Sequence, residues 1–133
     1  MPTTNETSAI DRFLATVRGE HDGPSAWAEG AVLDAVVPGW RLSVLGDEEI
    51  RRQLRAWYRD AGTFEELRRH PIATGEVVEL TVTWGEDGVP HAARQVHVLE
   101  LDGDGRIAHD DMWCGGRWSA ALLAEMEKAS NAG

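Results

Sequence analysis

The chain predicts an α+β domain. Apolar residues recur at helical spacing near its start, period-two alternation dominates from Thr63 onward, and turns rich in Gly and Asp separate the alternating runs. In the first helix, Ser8 caps with Asp11 three residues on, and Ile10, Phe13, Leu14 and Val17 form one apolar face. Pro24 suits the first turn of a short second helix that carries Trp27 inward. "AVLDAVV" reads as a strand ended by the turn Pro38, Gly39 and Trp40. Asp47 then caps a longer helix, with Glu48 and Glu49 at its positive end, Ile50, Leu54, Trp57 and Tyr58 on its apolar period, and Gly62 closing it.

Four runs follow as antiparallel neighbours: "TFEELRRHPIAT", "EVVELTVTW", "HAARQVHVLEL" and "RIAHDDMWC". Val78, Leu80, Val82 and Trp84 share one face of the second run. Ser119 caps a last helix, where Trp118 staples onto Leu123 and Leu122 packs down with Met126. The 133 residues, 42% of them hydrophobic, suit a single domain spanning 1–133, with loose ends at 1–6 and 129–133. No internal repeat or membrane-length apolar run is present.

A formal charge of −10 argues against nucleic acid and anionic membranes as partners. A single cysteine, Cys114, forms no internal disulfide, and the polar start lacks a signal peptide's apolar core, so a cytoplasmic location is expected. Cys114 has no CxxC partner and reads as an inert thiol.

The string "ELDGDGRIAHDD" places acids where a helix-flanked calcium loop needs them. Its flanks alternate with period two, so a solvated acidic turn is expected instead. A turn over 102–105 pairs Leu101 with Arg106, Leu99 with Ala108, His97 with Asp110 and Gln95 with Met112. His97 and Asp110 then share a face, and a carboxylate beside an imidazole orients the ring for acid/base work. A slip of one residue would present His109, Asp111 and Trp113 instead, and the apolar pattern leaves both registers open. His70 and His91 fall at turns or strand ends, on the rim. His91, His97 and His109 lack metal-ligand spacing, so no metal and no cofactor are expected.

The element order, the "DGRI" turn between the last two strands, the strand "AVLDAVVPG" and the helix "GDEEIRRQLRAWY" together resemble the nuclear transport factor 2-like superfamily, from the first helix to about Cys114. The superfamily includes ketosteroid isomerases, small polyketide cyclases and limonene epoxide hydrolase. The resemblance implies a cone-shaped curved antiparallel sheet wrapped around the N-terminal helices, with a short C-terminal helix, enclosing a pocket for a small hydrophobic ligand, and a homodimer through Val96, Val98 and Trp113. It places His97 where the isomerases carry an oxyanion-binding Asp, and Asp110, Met112, Cys114, Ala93 and Gln95 on the cavity face. The isomerase base aligns with Ala35, with Asp34 one residue off on the other face, and the oxyanion-binding Tyr aligns with Val17; ketosteroid isomerisation is therefore not expected. An epoxide hydrolase would need Arg68, Arg69 or Arg94 to face inward.

The reading that results is a cofactor-independent cyclase or isomerase acting on a polyketide- or terpenoid-like substrate. His97 and Asp110 are its acid/base pair and Gln95 binds the substrate carbonyl, with Val78, Leu80, Val82, Leu99, Met112 and Tyr58 as the lining and Trp40 as a lid. A non-catalytic small-ligand-binding or assembly module of the same fold, or an epoxide hydrolase, is the alternative.

Overall fold

A computed structural model describes residues 8–132, so the N-terminal segment expected to be loose lies outside the described residues. The elements run α1 (Ala9–Val17), β1 (Trp27–Val37), β2 (Trp40–Leu45), α2 (Asp47–Trp57), β3 (Gly62–Ile72), β4 (Gly75–Glu86), β5 (Val89–Leu101), β6 (Ile107–Ser119) and α3 (Ala120–Ala132). The six strands form one curled, unclosed sheet in the order β2-β1-β6-β5-β4-β3. All neighbours are antiparallel except β1 and β6, which run parallel. Three helices and this mixed sheet make the α+β cone that the sequence predicts.

Ser8 caps α1, its hydroxyl oxygen accepting from the Asp11 amide, and Ile10, Phe13, Leu14 and Val17 are buried as their spacing requires. The core joins this face to Ile50 and Leu54 of α2 and to the inner rows of β1, β4, β5 and β6. Buried residues alternate along β4 at Val78, Leu80 and Val82 and along β5 at Ala93, Gln95, His97 and Leu99. No helix among the described residues is long and apolar enough to cross a membrane.

Several local expectations are corrected. No helix forms at Pro24. Trp27 instead opens β1, level with Ile107 of β6, and reaches the core from the sheet. The Ser25 hydroxyl, bonded to Asp47, holds the crossing before it. Gly46, at φ 96°, occupies the cap position of α2, and Asp47 is its first helical residue. The helix stops at Trp57, and Gly62 starts β3 rather than closing α2. Trp40, expected in the turn, and residues 41–45, unassigned from sequence, form edge strand β2, because the turn at Gly39, φ 73°, folds them back on β1. Leu122 and Met126 of α3 are exposed, so the helix does not pack down through them. Its cap does form, the Ser119 hydroxyl accepting from the Leu122 amide.

The β5–β6 register also differs. Leu101 pairs with Ile107, but Glu100 pairs with His109, so one extra residue bulges out of β6. Upstream, Leu99 faces Asp110, His97 faces Met112 and Gln95 faces Cys114. Past the bulge the shift is two residues from the expected pairing, which preserves the faces of Asp110 and Met112, whereas Ile107, on its other side, turns into the core where plain alternation would have turned it outward. In the turn, the Asp102 carboxylate accepts from the amides of Asp104 and Arg106, and Gly105 takes φ 78°. Strands flank it on both sides, so the helix-flanked calcium-loop frame is not formed.

A Cβ at Gly75 would collide with the Leu99 carbonyl and crowd Glu100, both backbone. We expect Gly75→Ala to destabilise the fold by about 1–3 kcal/mol in urea denaturation, because two strands must move apart to admit one methyl group. A neutral result would mean that the β4–β5 spacing is soft there.

Candidate active site

Two strands bring His97 and Asp110 together. Both sit on the inner face, diagonal across β5 and β6, and both are shut off from solvent at 1% and 0% exposure. His97 Nδ1 lies 3.0 and 3.1 Å from the two Asp110 oxygens. On the other side of the ring, Nε2 lies 2.8 Å from Gln95 Oε1. The Phe13 ring of α1 meets the imidazole edge-on, centroids 4.8 Å apart. Burying an imidazole and a carboxylate is costly unless their hydrogen-bonding groups are met, and here they are.

Gln95 extends this network to α2. Its Oε1 also accepts the Tyr58 hydroxyl at 2.9 Å, and its amide nitrogen faces Cys114 Sγ at 3.7 Å. An amide oxygen only accepts, so Tyr58 and His97 Nε2 both donate to it in this arrangement. Asp110, His97, Gln95 and Tyr58 thus form one continuous buried chain of side chains.

Beside the chain lies an open cavity of about 580 Å³, mouth included. Of the residues expected to line it, Val82, Gln95, Met112 and Tyr58 do. His97, Asp110, Val78, Leu80 and Leu99 do not: they are buried behind the lining. Gln95 stands between His97 and the open space. Trp40 is 69% exposed on the β1–β2 hairpin and is not in the lining, so it does not lid this cavity.

The sequence reading missed Asp60, Arg117 and Trp57 as lining residues. Asp60 follows α2 and Arg117 lies near the end of β6, so only the curl of the sheet brings them to one mouth. Asp60 is the one acidic residue in the lining among the described residues, its carboxylate 3.7 Å from Arg59 Nε. The Arg117 guanidinium lies over the Trp84 ring, 5.0 Å from its centroid, and is paired with Glu86. Trp84 donates to Glu86 as well, and this bond chiefly holds the Glu86 carboxyl below the usual range.

His70 pairs with Glu79 on the outside, and His91 stacks on Trp84 at the rim. Among the arginines considered for hydrolase chemistry, Arg69 binds Glu76 and Asp11, Arg94 faces Glu66, and Arg68 is exposed. None of them meets Asp110. Asp34 points to the outer face, where it meets His109 and Asp111, while Ala35 is fully buried. The outer row of β5 and β6 presents half-buried Val96 and Val98 and an exposed Trp113.

Burial pushes the Tyr58 phenol well above its ordinary range, outweighing the opposing bond to Gln95. The chain has one tyrosine, so tyrosinate absorbance reports this site alone. A raised folded-state pKa favours the neutral phenol. Stability from this group is therefore full below about pH 10 and falls as pH rises above it, because the unfolded chain ionises first. We expect tyrosinate absorbance to appear only together with unfolding in an alkaline titration; ionisation near pH 10 with intact circular dichroism would contradict the burial.

No protein-family model and no curated protein matches the chain. Solved structures do match its coordinates. An NTF-2-like protein of unknown function from Burkholderia xenovorans LB400 superposes with TM-score 0.56 at 16% identity, over 81% of this chain and 80% of that one. The epoxide hydrolase/cyclase-like enzyme SalBIII, described in pyran ring formation in the polyether salinomycin, gives 0.59 at 15% identity over 80% and 88%. A hypothetical protein with a ketosteroid isomerase-like fold from Catenulispora acidiphila, in complex with trimethylamine, gives 0.59 at 15% identity over 85% and 88%. At these identities the likeness is one of fold. The chain has the NTF-2-like, ketosteroid isomerase-like α+β cone.

Proposed function

We propose that the protein is a small-molecule enzyme that needs no cofactor and promotes enolisation of a compact, apolar ketone-bearing substrate, polyketide- or terpenoid-like, leading to cyclisation or isomerisation. One observation carries this reading: the Tyr58 hydroxyl and His97 Nε2 converge on a single oxygen, at 2.9 and 2.8 Å. In the free protein that oxygen is Gln95 Oε1. A substrate carbonyl oxygen that takes its place, with Gln95 swung aside, receives the same two bonds. Two donors aimed at one oxygen stabilise the charge that develops there as an α-proton leaves.

The roles then divide by position. Asp60 accepts the proton from carbon. His97 and Tyr58 hold the enolate oxygen, and Asp110 keeps the imidazole oriented. The enolate carbon then either attacks a second carbonyl of the same molecule, the new alkoxide taking the proton back from Asp60, or Asp60 returns the proton to a different carbon of the enolate system. Apolar walls at Val82, Met112 and Val17 exclude water and favour a hydrophobic body. The fold shared with SalBIII and the ketosteroid isomerase-like protein supports a small-ligand site of this type.

Full burial of His97, with both ring nitrogens already facing oxygens, favours a second reading. There the pair is purely structural and the cavity only binds.

Exchange of α-protons for deuterium distinguishes the two. A panel of cyclic ketones and 1,3-diketones would be followed by proton NMR in D2O. We expect exchange above the buffer rate for ligands that bind, and at least about a tenfold loss in each of His97→Gln, Tyr58→Phe and Asp60→Asn, in line with removing one oxyanion donor or a general base. Binding without exchange in the wild type would overturn the enzymatic reading and leave the binding module.

A further inference from the structure

The outer face of β6 carries a second cluster that the cavity chemistry does not use. His109 and Asp111 are two residues apart and so point to the same side, away from Asp110 and Met112. The parallel register sets Asp34 of β1 level with Asp111. The three side chains come together half-buried, one ligand atom from each within 4.8 Å of the others.

We propose that Asp34, His109 and Asp111 form a binding site for one divalent transition-metal ion, with zinc as the best match to the donors. His109 Nε2 lies 3.4 Å from Asp34 Oδ2 and 3.2 Å from Asp111 Oδ1. In a tetrahedron of bonds about 2.0–2.1 Å long, neighbouring ligand atoms sit about 3.3 Å apart. Both measured edges match that spacing, and the third, between the two carboxylates, lies within 4.8 Å. One imidazole nitrogen with two carboxylate oxygens suits zinc, manganese or cobalt better than calcium or magnesium, which prefer all-oxygen shells.

Hydrogen bonding alone explains the arrangement less well. Nε2 carries at most one proton, yet it faces two carboxylates. The Asp111 carboxylate accepts no hydrogen bond from any described residue and only approaches Nε2. Groups outside the three ligands also orient them. Ser43 donates to the other Asp34 oxygen at 2.5 Å, and Glu100 Oε1 stands 4.0 Å from His109 Nδ1 on the far side of the ring. The chain's net charge of −10 adds a general attraction for cations. Three protein ligands on an open face leave a fourth position for water. Bound there, the ion would clamp β1 to β6, the one parallel pair in the sheet.

The test is calorimetric titration of metal-free protein with zinc chloride near neutral pH. Saturable uptake of one ion per chain is expected, with affinity at least tenfold lower in His109→Ala and in Asp111→Asn, and unchanged in His91→Ala. Cobalt in place of zinc should give visible d–d absorption that His109→Ala abolishes. Histidine NMR on the wild type covers the case of a variant that fails to fold: zinc should shift the His109 Nε2 resonance first. The proposal is overturned if no saturable uptake occurs below millimolar zinc, if His109→Ala binds as well as the wild type, or if another histidine shifts instead. Any of these leaves a protonated His109 bridging two surface carboxylates.

Discussion

The buried contact between His97 and Asp110 governs more of this molecule than its size suggests. An imidazole and a carboxylate without solvent are tolerated only while each polar atom has a partner. Asp110 meets Nδ1 with both oxygens, and Gln95 meets Nε2. These bonds fasten β5 to β6 by a diagonal that the backbone ladder alone does not supply. Phe13 lays α1 against the ring, and Tyr58 joins the end of α2 to the same network through Gln95. Both N-terminal helices are thus seated on the sheet through one polar chain set in an apolar core. Removing any link leaves a buried donor or acceptor alone, which costs more than the bond itself contributes.

Strand β6 serves two faces. Asp110 and Met112 turn inward, and His109, Asp111 and Trp113 turn outward. The bulge near Glu100 keeps this division intact while shifting the pairing by two. A shift of one would have exchanged the faces, burying His109 and Asp111 and exposing the inner pair.

Much of this was legible in the sequence where local signals and burial agreed. The cap at Ser8 with its apolar face, the four consecutive strands and the inner rows of β4 and β5 all follow from periodicity. So does the shared face of His97 and Asp110, because side-chain parity survives a two-residue error. The partner across the ladder does not follow, since a bulge adds a residue without changing the composition of either strand. Edge strand β2 was missed because "RLSVL" is short and its outer face is largely exposed. The Asp87–Gly88 turn, with φ of 51° and 78°, was readable as a tight hairpin signal and would have extended β4 and β5 to their full length. Pro24 misled because a proline suited to a helix start suits an extended crossing equally well. The cavity lining was half legible. Alternation places Gln95 and Met112, but the curl of the sheet decides that the opening lies toward Asp60 and Arg117 rather than toward His97.

The position of the Gln95 oxygen bears on how the cavity chooses what it holds. With two donors already satisfied by the protein's own amide, an incoming carbonyl exchanges hydrogen bonds rather than adding them. The gain from polar contact is small, and the free energy of capture comes from the hydrophobic body against the walls. A hydrocarbon that left Gln95 in place would be held about as firmly as a ketone of the same shape. The side-chain amide thus acts as a resident competitor, and discrimination between the two depends on how readily it yields.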